Sequence, residues 1–448
     1  MTKTKMSLGW WQLETLLVTM AGYALYYLVR KNLSFAMPVL TDEFGISKVE
    51  LGAFLTAHGL VYGFARFTNG ILTDLFSARK VMALGLFVCA AVNLAFGLSD
   101  FIAGWFSSAG TKESFTVALV WTMGVIWVIN GYFQGMGVGP CVKTLPRWFP
   151  PHRLATMQSI WNASHSIGAG CGIALLGWWL IPAFHTSGAH DGAWRLCFLV
   201  PAGIAFAGAF GILLSMRDSP EQVGLPPVTQ SAAVSPEKGS GHGYGYVIVR
   251  YVLLNPCIWI LAVSNFCVNT VRFAFLDWGP TLLHESKGYS LVEAATFLFA
   301  FEIVGGNLGM VVAGWVSDHV FGSRTHRTCV FCFAGVALAV AGFWLLPASA
   351  SFWAQLVLFT LIGFFVYGPQ ALLGISSTQQ ATPRAAAAAG GVLGILGYLS
   401  TSVSGVGFGW MAQRAGGWDG VYMTILALAL AGGLVVALMW RAPAERQD

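Results

Sequence analysis

Long apolar runs alternate with short polar intervals along almost the whole chain. They lie near 12–33, 51–75, 80–99, 115–141, 153–182, 195–215, 251–277, 289–316, 327–348, 351–375, 386–412 and 418–440. A helix of about 20 apolar residues crosses a bilayer, so the pattern predicts twelve transmembrane helices with both chain ends on one side. One long polar interval, 216–250, is rich in Pro, Gly and Ser and reads as a linker. It divides the chain into a six-helix bundle at 1–215, the linker at 216–250, and a second six-helix bundle at 251–448.

Composition agrees, with 56% hydrophobic and 10% charged residues over 448 positions. That balance excludes a soluble domain and describes an all-α integral membrane protein. Lys and Arg set the orientation. Fifteen of the 24 basic residues, Arg79, Lys80, Lys143 and Arg324 among them, fall on the side that carries both termini, and six on the other. The positive-inside rule makes that side cytoplasmic. The net charge of +5 then reflects topology, and no nucleic-acid partner is implied. Eight scattered cysteines lack metal or redox spacing and read as packing residues. The first apolar segment is long and polar at its end, which predicts that it is retained rather than cleaved as a leader.

The two bundles repeat each other. At an offset of 242, Arg30 pairs with Arg272, Pro38 with Pro280, Tyr23 with Asn265 and Tyr27 with Asn269. At 244, "GILTD" (Gly70 to Asp74) pairs with "GWVSD" (Gly314 to Asp318), and His58 with Glu302. Six spans return the chain to the same side, so the repeats are parallel. This is the outer arrangement of the major facilitator fold, in which the site lies at the midplane between halves.

An arginine inside a span costs several kcal/mol, at least about 2.5, unless it faces a partner or a wet cavity. Arg30 shares a helical face with Tyr27 and Tyr23, and Arg272 with Asn269 and Asn265. Snorkelling to the interface, since each arginine sits near a span end, or an internal salt bridge is the competing reading. Two guanidinium forks supply about +2 charge and match a phosphate monoester of about −1.5 to −2. Further candidates are Arg66 in the second span, His165 with Asn162 in the fifth, and Tyr367 and Tyr398 in the cavity lining. Asp277 and Glu302 balance spare positive charge, while His58 reads as a helix-contact histidine. Gly70, Asp74, Arg79 and Asp318 read as structural latches on the cytoplasmic side. No catalytic triad, metal cluster or phosphate-binding Gly-Lys-Ser/Thr loop occurs, so neither an enzyme nor an ATP-driven pump is expected, and no cofactor.

The stretches "GYALYYLVRKN", "FQGMGVGP", "WNASHSIG", "YVLLNPCIW", "VRFAFLDWGPT", "AGWVSDHVF" and "GFFVYGPQALLGI" resemble the organophosphate:phosphate antiporters. That group holds the glycerol-3-phosphate, hexose-phosphate and phosphoglycerate carriers of bacteria. The resemblance runs from about residue 12 to 440. It implies phosphate-binding arginines at Arg30 and Arg272 and a binding histidine at His165. Three departures concern the organic half of the substrate: Ser166 and Ala169 replace the motif's Asn and second Gly, Arg66 replaces a lysine, and "ISSTQQATPRAAAAAGG" lacks a charged position. "YVLLNP", "DWG" and "FFVYGPQ" are most similar to the hexose-phosphate branch, which includes membrane sensors, whereas "FQGMGVGP" looks like the phosphoglycerate carriers.

The resulting expectation is a monomeric inner-membrane antiporter that exchanges a sugar phosphate such as glucose 6-phosphate for inorganic phosphate by alternating access. Glycerol 3-phosphate and phosphoglycerate are the alternative substrates. Two rivals remain: a transporter-like sensor that signals to a kinase, and a proton-coupled carrier in which His165, Asp277 or Glu302 titrates.

Overall fold

The computed structural model describes residues 7–107, 111–182, 192–228, 244–381, 385–414 and 417–444. Every regular element among them is helical. In chain order the main helices are α1 (Leu8–Leu28), α2 (Leu33–Phe44), α3 (Lys48–Leu75), α4 (Ala78–Gly97), α5 (Ser99–Phe106), α6 (Lys112–Gln134), α7 (Val138–Trp148), α8 (Pro151–Ala174), α9 (Leu196–Ser215) and α10 (Pro256–Lys287). They continue as α11 (Leu291–Phe299), α12 (Asn307–Val320), α13 (Thr325–Leu345), α14 (Phe352–Gln380), α15 (Ala386–Leu399), α16 (Phe408–Ala412) and α17 (Gly417–Ala437). Wide π-type turns extend α8 at Leu175–Leu180 and join α11 to α12 at Ala300–Gly306.

Among the described residues nine helical spans are long and apolar enough to cross a membrane. The three expected spans that fall short are α1 with α2, α3, and α8. These carry Arg30, then His58 and Arg66, then His165. In α3 and α8 the candidate residues add to the polar content of the helix, whereas Arg30 lies in the break between α1 and α2.

Helix ends follow local chemistry. Asn255 caps α10 by accepting from the Cys257 amide at 3.0 Å, with Pro256 in the first turn, and Gly288 closes the helix at φ +74°. Ser290 and Glu293 form a capping box on α11.

Packing sorts the chain into two units. The first holds Met1–Leu33, Val61–Gly172 and Gly188–Gly239. Its core gathers Tyr26, Met82, Leu86, Trp148, Ala205 and Ile212. The beginning of the expected linker belongs to this core: Met216 is buried, Trp148 Nε1 donates to the Arg217 carbonyl at 3.1 Å, and Asp218 accepts from Ser77 Oγ at 2.5 Å and the Arg79 amide at 2.8 Å. A carboxylate at the α4 N-terminus satisfies an otherwise unpaired amide and complements the helix dipole. The middle of the expected linker, 229–243, lies outside the described residues, as do Lys3, Lys5, Arg384 and Arg446.

The second unit holds Ser34–Leu60, Ile173–Ser187 and Ser240–Asp448. Here the first half of α3 packs on the turn at Val403–Gly407. Thr56 Oγ1 donates to the Thr401 carbonyl at 2.8 Å and accepts from the Val406 amide at 3.0 Å. A Cβ on Gly52 would lie 2.6 Å from the Gly405 carbonyl oxygen, so this backbone approach needs glycine. Lys48 pairs with Glu285 at 2.7 Å beside it.

Candidate functional site

Arg30 does not sit inside a helix. α1 ends at Leu28, α2 starts at Leu33, and the break between them carries Val29, Arg30, Lys31 and Asn32. The Arg30 amide turns back to the Tyr27 carbonyl at 3.2 Å in place of the normal helical acceptor. Its guanidinium, buried to 9% exposure, lies 4.0 Å from the Tyr62 ring centroid and 5.5 Å from that of Tyr27. Such contacts engage the face of the guanidinium, whereas oxyanions are recognised at its N–H edge.

The aromatic setting extends from there. Tyr27 meets Tyr23 edge-on at 5.4 Å, and Tyr23 stacks on Trp161 at 4.9 Å. Trp161 belongs to α8, which also brings His165 to 5.8 Å from the Tyr27 ring. His165 is buried; its Nδ1 donates to the Asn162 carbonyl, and Nε2 lies 3.3 Å from Ser166 Oγ. A carbonyl only accepts, so the proton is on Nδ1 and Nε2 is left as an acceptor. Asn162 is itself exposed.

The second unit treats its arginine differently. α10 runs without a break through Arg272, which donates from Nε to Tyr367 Oη at 3.0 Å. Its Nη2 is 3.8 Å from Glu302 Oε1, and the Tyr367 hydroxyl donates to Glu302 Oε2. Glu302 and Tyr367 are both fully buried and Arg272 nearly so. Glu302 sits in the wide Ala300–Gly306 turn, and its Oε1 accepts no hydrogen bond within the structure. Arg272 thus has a neighbouring carboxylate whose nearer oxygen is only loosely engaged.

Other candidates take separate places. Asn269 donates to the Asn265 carbonyl and side chain at 2.8 and 3.0 Å, and Asn265 donates to the Leu393 carbonyl of α15 at 2.8 Å. Tyr398 is half-buried on the same helix, and Asp277 is buried on α10. Arg66 lies on an exposed side of α3 and lines a cavity of about 370 Å³ with Gly70, Thr73, Asp74, Gly139 and Lys143. Asp318 is exposed and accepts from Ser323 Oγ at 2.9 Å.

Within that cavity wall, Lys143 Nζ donates to the carbonyls of Thr73, Asp74 and Phe76 at 2.6, 3.2 and 2.9 Å. These are end-of-helix carbonyls of α3, and a cation there also offsets the dipole. Lys143→Met is expected to cost about 1–2 kcal/mol of stability. Thermal unfolding in detergent should show a lower Tm with unchanged ligand affinity.

The Major Facilitator Superfamily profile matches residues 19–405. This chain belongs to that superfamily. It is 34% identical over 435 residues to a glycerol-3-phosphate transporter of Bacillus subtilis, covering 96% of this chain and 92% of the relative. It is 31% identical over 439 residues to the membrane sensor protein UhpC of Escherichia coli, covering 96% and 92%. A solved bacterial homologue of the human lysosomal transporter Spinster superposes with a TM-score of 0.73 at 15% identity, covering 98% of this chain and 99% of that one. As a major facilitator protein the chain is an all-helical multi-pass transport protein of twelve transmembrane helices in two bundles, and not an enzyme.

Three groups around the arginines escaped the sequence reading of this superfamily member. Tyr62 lies four residues beyond His58 on one face of α3, a spacing that could have flagged it. Trp161 stands inside the quoted histidine motif. The Glu302–Tyr367 contact joins residues 65 positions apart, and no sequence periodicity announces it.

Proposed function

We propose that this protein exchanges a small organic phosphate monoester, a sugar phosphate such as glucose 6-phosphate, for inorganic phosphate across a bacterial inner membrane, with both termini cytoplasmic. One observation carries the reading: two buried arginines at repeat-matched positions are each held by a tyrosine, Arg30 over Tyr62 and Arg272 by Tyr367. Holding the guanidinium in place lowers the entropy cost of a bidentate phosphate contact. The relative named as a glycerol-3-phosphate transporter supports an organophosphate ligand.

Charge sets the coupling. Glu302 partly offsets the Arg272 charge, whereas the Arg30 charge meets the ring faces of Tyr62 and Tyr27. An arriving phosphate neutralises an arginine charge that otherwise stays buried, and that gain favours the reorienting state of the carrier. A carrier without substrate lacks that gain and seldom reorients, so the protein works as an exchanger rather than a uniporter.

Proteoliposomes loaded with phosphate test this. Uptake of radiolabelled phosphate is expected only with phosphate inside, with glucose 6-phosphate competing better than glycerol 3-phosphate or 3-phosphoglycerate. Uptake driven by a pH gradient with no internal phosphate overturns the exchange mode in favour of proton coupling. Ligand binding without flux assigns the protein to the sensor class, with a kinase as its partner.

A further inference from the structure

The break that presents Arg30 contains neither Pro nor Gly, so the chain does not break there by its own local preference. Interrupting the helix strands backbone carbonyls, and each buried one costs about 1–3 kcal/mol unless paired. Buried amide side chains pair them. Gln134 Nε2 donates to the Tyr26 carbonyl at 3.0 Å, whose usual partner would be the Arg30 amide. Asn93 Nδ2 and Asn130 Nδ2 both donate to the Val29 carbonyl, at 3.0 and 3.1 Å. Asn32 Nδ2 in turn donates to Asn93 Oδ1 at 2.8 Å and to the Cys197 carbonyl at 3.0 Å. Asn32, Asn93 and Asn130 are fully buried and Gln134 almost so.

We infer that Asn93, Asn130 and Gln134 are positioning residues for the phosphate site, holding open the turn between α1 and α2 so that Arg30 stands against Tyr62. The inference rests on the exchange reading above for its ligand. Two features separate it from ordinary polar packing. All three side chains come from α4 and α6 yet converge on two carbonyls, one residue before and four residues before Arg30. The matched arginine of the second repeat lies in an unbroken helix and is held by Glu302 and Tyr367 instead, so the repeat itself does not require the break. An intact helix would turn the Arg30 side chain by up to a fraction of a turn and misplace its fork, and misplacement of about 1 Å costs about 100-fold in well-oriented sites.

The test uses the full-length purified protein and radiolabelled inorganic phosphate. Asn93→Ala and Asn130→Ala are expected to raise the phosphate Kd by about 10-fold or more, with a small change in Tm. Asn69→Ala serves as the matched control, because Asn69 is a fully buried amide that donates to the Tyr132 carbonyl at 3.0 Å away from the break. Its Kd should stay at the wild-type value. In an Arg30→Lys background, Asn130→Ala should add no further loss of affinity, since both act through the same group. Additive losses, or an equal loss in the Asn69→Ala control, overturn the assignment. If wild-type protein binds no phosphate, the exchange reading fails on its own. Positioning is then read from the alkylation rate of Arg30→Cys with a cationic thiol reagent: a rate changed severalfold by Asn130→Ala upholds it, and an unchanged rate overturns it.

Discussion

Arg272→Lys is expected to abolish measurable phosphate exchange, and Arg30→Lys to reduce it by about 100-fold. The charge survives both substitutions, so the loss isolates geometry. Lysine keeps a point charge but has no planar fork, and each charge-assisted hydrogen bond lost is worth about 1.5–3 kcal/mol, or about 10-fold to 100-fold. Arg272 loses more because its Nε also holds Tyr367 at 3.0 Å, and an ammonium in its place leaves the fully buried Tyr367–Glu302 pair without a donor placed at Nε. Arg30 is held by ring faces, which an ammonium can also meet, so its variant keeps residual function. Exchange in phosphate-loaded proteoliposomes measures both. Near-normal exchange in the two lysine variants would sink the paired-arginine clamp.

Glu302→Gln gives the second large effect, with opposite signs on stability and affinity. Removing one partner of a buried ion pair costs about 3–5 kcal/mol because the other charge stays buried. Arg272 is only 6% exposed and Glu302 not at all, so the ligand-free variant should unfold at a clearly lower temperature. Phosphate would then meet an arginine with no competing carboxylate and should bind roughly 10-fold tighter, with a larger phosphate-induced rise in Tm. Turnover should fall, because release no longer has Glu302 to displace the ligand. Thermal unfolding across a phosphate titration reads all of this at once. Unchanged affinity together with unchanged Tm would mean that Glu302 is not the counter-ion of Arg272 in the working protein.

Both outcomes depend on side-chain partnerships of unequal legibility. The existence of two buried arginines, their repeat match and the polar character of their neighbours could be read directly, because hydropathy and spacing along one helix are local properties. Which arginine each candidate partner meets could not. Tyr367 and Glu302 reach Arg272 from other helices, and Asn93, Asn130 and Gln134 reach the Arg30 turn across 64, 101 and 108 residues of chain. Asn269 illustrates the converse. Its face was legible as shared with Arg272, yet its amide group is turned to Asn265, which holds α15.

What the amino-acid sequence determined by itself is the membrane-spanning helical fold and the presence of two arginines within its apolar segments. Those follow from segment length, hydropathy and charge, which act residue by residue against lipid and water. Only the tertiary structure decided where the first span breaks and how each arginine is held. A carbonyl stranded by a broken turn is tolerable only if a donor from another helix arrives to satisfy it, and that arrival is a property of the packed protein rather than of any segment.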